Sequence, residues 1–65
     1  MKLIVNGETL ETSAQTLKGL LDELRVQAER VAVEVNLSVV RKSEYATFPL
    51  NEEDRIEIVN FVGGG

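Results

Sequence analysis

The sequence predicts an α+β fold, a small roll in which a mixed sheet of four to five strands carries one main helix on one face. Three observations predict it. Apolar and polar residues alternate with a period of two near both ends of the chain and again in its middle. One leucine stripe with helical spacing lies between the first and second of these stretches. The chain has 65 residues, 43% of them hydrophobic and none a cysteine, so a single core must be held by apolar packing alone. A lone helix with one apolar stripe buries it against one face of a sheet.

The elements follow in order. Lys2 to Asn6 alternates, with Met1, Leu3 and Val5 on one face and Lys2, Ile4 and Asn6 on the other. Asn6-Gly7 is a strong hairpin signal because both residues tolerate positive φ, and Thr9 to Thr12 reads as the return strand with Leu10 inward. Leu17, Leu20, Leu21 and Leu24 then form the helical stripe. Thr12, Ser13 and Thr16 are candidate N-caps, Thr12 with Gln15 has the spacing of a capping box, and Gly19 is expected to allow close approach to the sheet. The helix is expected to end near Val26, because its apolar period stops at Gln27.

Val31 to Asn36 resumes the period of two, and Leu37 to Val40 reads as its extension or as a short partner after a bend near Asn36. From Arg41 to Pro49 the pattern is lost. Tyr45 and Phe48 suggest a loop folded back over the core edge, with Leu50 plugging the core beneath Pro49. Asn51 to Asp54 is a polar turn, and the last strand begins at Arg55. With a helix between the hairpin and the later strands, the first and last strands can lie parallel at the sheet centre. Strand alternation sends Ile56 and Ile58 to the core and leaves Glu57, Val59 and Phe61 outward, on the same side as Ile4.

Composition excludes several function classes. Eleven acidic and seven basic side chains give a net charge of −4, which argues against nucleic acid. The basic residues are scattered, with Arg41-Lys42 the only adjacent pair. No apolar run reaches the roughly 20 residues of a membrane span, and the opening is too short for a signal-peptide core, which favours a cytoplasmic protein. Without cysteine or histidine the chain lacks the usual nucleophiles and bases, and it has no glycine-rich phosphate cradle. The run Glu52-Glu53-Asp54 reads as a charged turn in preference to a metal site.

The chain closes on Gly63-Gly64-Gly65. Glycine weakens a strand and packs against nothing, so these residues do not serve stability. They make a thin arm that ends in a carboxylate free of neighbouring side chains. Extended at roughly 3.3 Å per residue, Val62 to Gly65 would reach on the order of 13 Å from the body. The sequence divides into a folded domain over 1–62 and a tail over 63–65, and is expected to be a monomer when free.

Hairpin, helix, strands and a terminal Gly-Gly make the layout of a β-grasp domain. The chain resembles the ubiquitin-like sulfur carriers, most closely the ThiS family of thiamine biosynthesis. The resemblance rests on residues 1–8, on Thr16-Leu17-Lys18-Gly19-Leu20-Leu21, on residues 31–36, and on residues 54–59 leading to Gly64-Gly65. One departure is Glu53, where the family usually carries glycine before the aspartate.

The resemblance implies that a separate adenylyltransferase-type activating enzyme uses ATP to adenylate the Gly65 carboxylate. Sulfur then displaces the adenylate, and thiazole synthase takes it from the resulting thiocarboxylate. The chain would bind no cofactor or metal itself and would be a substrate-like carrier, not an enzyme. Ile4, Val59, Phe61 and Val62 are the candidate partner-binding residues, with Gly63 and Gly64 as the tail. Rival readings are the small subunit of molybdopterin synthase, a sulfide carrier for amino-acid synthesis, and a β-grasp module that binds without chemistry.

Overall fold

The computed structural model describes residues 1–61. Val62, Gly63, Gly64 and Gly65, the expected tail and its last body residue, lie outside the described residues. The elements are β1 (Lys2–Val5), β2 (Glu8–Glu11), α1 (Leu17–Glu23), β3 (Val31–Val35), β4 (Ser38–Val40) and β5 (Arg55–Asn60). Two short 3-10 turns, Ala28–Arg30 and Lys42–Glu44, precede β3 and follow β4. The five strands form one sheet in the order β2-β1-β5-β3-β4. β1 and β5 run parallel beside each other, while the other three pairings are antiparallel, so the sheet is mixed as predicted.

The hairpin β1–β2 turns on Asn6 and Gly7, both at positive φ, and pairs Val5 with Glu8. Beyond the end of β1 the Asn6 side chain continues the pairing to β5. Its Oδ1 accepts from the Ile58 N–H at 2.8 Å, and its Nδ2 donates to the Ile58 carbonyl at 3.3 Å. The bend expected near Asn36 is a second hairpin turn, with Asn36 and Leu37 both at positive φ, and Ser38–Val40 is a partner strand.

Thr16 is the N-cap of α1, its Oγ1 accepting from the Gly19 N–H at 3.1 Å. Thr12 and Gln15 do not form a capping box, because the helix starts too late. Thr12 Oγ1 instead accepts from the Ala14 N–H at 2.9 Å and donates to Glu23 Oε1. The other exposed donors of the first turn find the loop after β4: Leu17 N–H donates to the Phe48 carbonyl and Lys18 N–H to the Tyr45 carbonyl. Gly19 faces the segment that leads into the helix and not the sheet. A Cβ there would stand 3.3 Å from Thr16 Oγ1 and 3.5 Å from Ala14 Cβ.

The helix ends before Val26. Arg25 adopts φ 60°, its N–H donates to the Asp22 carbonyl, and the Val26 N–H donates to the Leu21 carbonyl. This is the Schellman arrangement, closed by Val26 packing on the core without glycine at the left-handed position.

Leu3, Leu17, Leu20, Leu21, Val31, Val33 and Ile56 are fully buried, so the leucine stripe packs on the sheet face that the strand alternation assigned to the core. At about 1.5–3 kcal/mol per buried large apolar side chain, this contact is what makes so short a helix stable. Tyr45 and Leu50 are buried and Phe48 is partly so, which places the irregular segment over the core edge.

The turn before β5 has Glu53 at φ 67°, where glycine would be unstrained. Asp54 N–H donates to the Asn51 carbonyl, Asp54 Oδ2 accepts from the Asn51 N–H, and Asp54 Oδ1 accepts from Asn36 Nδ2. Glu53 is further held to β1, its N–H on the Lys2 carbonyl and its carboxylate 3.4 Å from Lys2 Nζ. The carboxylate run is therefore occupied in shaping this turn.

Candidate docking face and C-terminal arm

Register fixes what stands on the open face. The rows across it read Val39, Glu34 and Glu57 on β4, β3 and β5, and then Ala32 beside Val59. Phe61 follows Val59 by two residues at the sheet's end. Val59 is 57% exposed and Phe61 54% exposed, as the alternation predicts.

Ile4 lies on the same face, but its partner on β5 is Arg55 and on β2 Thr9. Val59 is four residues beyond Arg55, roughly 13 Å along the strand. Ile4 therefore does not join Val59 and Phe61 in one patch. Reading face without register placed it too near the tail: a parallel neighbour supplies alternation at once, but its offset depends on where each strand begins.

Two features of the face have no signature in the alternation. Glu34 and Glu57 stand directly opposite each other, and neither has a salt-bridge partner among the described residues. Leu37 and Val39, at the β4 edge, are 89% and 73% exposed. The face thus presents separate apolar side chains around a pair of acids.

Phe61 is the last described residue before the glycines. Its N–H donates to the Arg30 carbonyl at 2.8 Å, and Lys42 Nζ lies 5.3 Å from its ring centroid. Gly65, Gly64, Gly63 and Val62, which the resemblance implies to be the reacting carboxylate and its arm, fall outside the described residues. What the structure gives is the arm's point of departure: the exit of the central strand β5, on the edge between the open face and the 3-10 turns.

The other described residues offer little chemistry. Among the described residues no group of three or more His, Cys, Asp or Glu side chains could hold a metal ion. An open hollow of about 380 Å³ at the C-terminal end of α1 includes Lys18 and Asp22, which neutralise one another at 2.8 Å. Burial raises the Tyr45 phenol above its ordinary pKa, with a backbone hydrogen bond at Val33 partly offsetting the rise. Tyr45 lies in the core, so the shift bears on stability and not on a reaction.

With the geometry in place, comparison with known proteins decides the family. The profile of the ThiS family matches residues 3–65. The chain belongs to the ThiS family. The ThiS sulfur carrier of Bacillus subtilis is 35% identical over 65 residues, covering 97% of this chain and 98% of the relative. The crystal structure of the thiamine biosynthesis protein ThiS from Geobacter metallireducens superposes with a TM-score of 0.85 at 33% identity, covering all of both chains. A thiazole synthase of Paramagnetospirillum magneticum is 52% identical over 66 residues, but the chain spans only 20% of that relative's length. The five-stranded sheet with one helix is accordingly the β-grasp fold of ThiS.

Proposed function

We propose that this ThiS-family chain is a sulfur carrier whose Gly65 carboxylate is activated by a separate enzyme and then carries sulfur to thiazole synthase. The observation that carries this reading is the central strand β5, which ends at Asn60 and is followed in the sequence, after Phe61 and Val62, by three glycines. A carboxylate is a weak electrophile because its charge is delocalised. Attack of its oxygen on the α-phosphorus of ATP forms an acyl-adenylate and releases pyrophosphate. Hydrosulfide then adds to the carbonyl carbon and expels AMP, leaving a thiocarboxylate.

Glycine at 64 and 65 keeps that carbonyl free of steric cover and lets the arm enter a narrow channel. The chain itself holds no histidine or cysteine to perform these steps, so it acts as substrate and the adenylyltransferase-type partner supplies ATP and catalysis. A cytoplasmic setting, where ATP is at hand, suits this role. Among the described residues no helix is long and apolar enough to cross a membrane.

Val59 and Phe61 form the docking anchor beside the arm, since exposed aromatics at a strand end are favoured as interface anchors. Glu34 and Glu57 add a negative centre that would attract basic side chains on the activating enzyme. The match to a fifth of a thiazole synthase's length suggests why the two activities belong together, since a carrier and its acceptor in one polypeptide meet at high effective concentration.

The test is an intact mass. After incubation with ATP, a sulfur source and the activating enzyme, one oxygen at Gly65 should be replaced by sulfur, and removal of Gly64 and Gly65 should abolish the change. An unmodified mass beside a partner that is active on another carrier would overturn the proposal.

A further inference from the structure

Three segments far apart in sequence meet where β5 ends. The Phe61 N–H donates to the Arg30 carbonyl at 2.8 Å, one rung beyond the Val31–Asn60 pair that closes the β3–β5 ladder. Lys42, the first residue of the 3-10 turn after β4, places its ammonium 5.3 Å from the Phe61 ring centroid and donates to the Glu29 carbonyl at 3.1 Å. No carboxylate pairs with Lys42 among the described residues, so its charge is committed to the ring and to one carbonyl. The ring remains 54% exposed beneath it.

We propose that Lys42 is a positioning residue for loading of the carrier. Resting on the sulfur-carrier reading above, it holds the Phe61 ring in the orientation in which the activating enzyme receives it. An exposed aromatic at a strand end has several staggered rotamers open to it. A cation seated on one face of the ring, itself fixed to a main-chain carbonyl, favours one of them. An anchor that is already oriented loses less freedom on docking. Lys42 thus acts through Phe61, and its contribution appears in recognition of the carrier and not in the chemical step.

Steady-state adenylation by the activating enzyme, with the carrier as varied substrate, tests this. Lys42→Met keeps the aliphatic stem and removes the charge; it should raise KM about two- to fivefold with kcat unchanged, the range an exposed cation–π contact supports. Lys42→Arg keeps a cation and donors and should restore KM. Phe61→Leu should also raise KM, and the double variant should be no worse than Phe61→Leu alone, because the lysine has no ring left to orient. In the free protein, Lys42→Met should move the NMR resonances of the Phe61 ring while leaving those of the buried leucines in place.

Additive effects of the two substitutions would show that Lys42 touches the partner itself and would overturn the positioning role. So would an unchanged KM, or a Phe61 ring whose resonances ignore Lys42→Met. A wild-type chain that an active enzyme never adenylates would overturn the carrier reading, and this role with it.

Discussion

The two faces of the sheet are made from the same strands, one residue out of step, and they obey different rules. Beneath α1 the face reads Leu3, Val31, Val33, Val35, Val40 and Ile56, all buried. On the other side stand Ile4, Ala32, Glu34, Val39, Arg55, Glu57 and Val59. The closed face is continuous hydrocarbon through the middle of the sheet. The open face sets two carboxylates directly opposite each other, an arrangement that costs stability in an antiparallel pair. It also leaves Val39, Val59 and Phe61 more than half exposed. A sheet shaped for stability alone would have neither feature. The contrast teaches that one face holds the molecule together, while the other carries features that do nothing for stability and that the docking role proposed above would explain.

The sharpest way to break this contrast is to exchange the consequences. On the closed side, Leu20→Ala should cost about 2–5 kcal/mol, read as a fall in the urea midpoint, since the leucine is fully buried between helix and sheet. In a 65-residue domain that is a large part of the total stability, and partial unfolding at 37 °C is expected. A loss below about 1 kcal/mol would mean that the helix does not carry the core. On the open side, Phe61→Asp should leave the unfolding free energy from urea titration within about 0.5 kcal/mol of wild type. The same variant should raise the KM for adenylation by about tenfold or more, the loss expected of an aromatic anchor. An unchanged rate of activation would strike Phe61 from the docking face.

The closed face was legible in the sequence because burial enforces periodicity. The leucine stripe, the Asn6-Gly7 turn and the valines of β3 each announce themselves over a few residues. The parallel pairing of β1 with β5 followed from the helix between them. Less was legible where geometry depends on offset or on strain. Ile4 was assigned correctly to the open face but at the wrong height, because alternation carries no register. The helix stops short of Val26 because Arg25, an ordinary residue with no turn signal, takes the left-handed conformation. Lys42 could have been singled out as half of the one basic pair in an acidic chain, yet nothing in the local sequence places it against Phe61. That contact exists only once β4 has returned the chain to the end of β5.

The hairpins refine the comparison. Both turns put two residues at positive φ, but the first uses Asn6-Gly7 and the second Asn36-Leu37. Asn36 is braced by its own side chain, with Oδ1 accepting from the Arg55 N–H at 3.0 Å and Nδ2 donating to Asp54. Leu37 has φ 73° and is 89% exposed, so strain at this position is not balanced by burial. Leu37→Gly should therefore stabilise the protein by about 0.5–1 kcal/mol, seen as a higher urea midpoint. Should activation weaken at the same time, Leu37 belongs to the docking surface together with Val39. A lower midpoint would show that the leucine packs on something in solution and that the open face is less open than its exposure suggests.

The smallest expected effect concerns the closed side and pH. Tyr45 is buried against the core, and loss of solvent raises its phenol above the ordinary value of 10.0, with the Val33 backbone partly opposing the rise. In the unfolded chain the phenol ionises near that ordinary value, while in the folded chain it keeps its proton to higher pH. Above about pH 10 the unfolded state thus binds fewer protons than the folded one, and stability falls as pH rises. Below that pH the group is neutral in both states and contributes no slope. Tyr45→Phe removes the titration, so its urea midpoint should decline less than wild type between pH 9 and 11, while the two run parallel from pH 6 to 8. An alkaline loss that persists unchanged in Tyr45→Phe would mean that the phenol reaches water in the folded state and that the loop over the core edge is looser than its packing indicates.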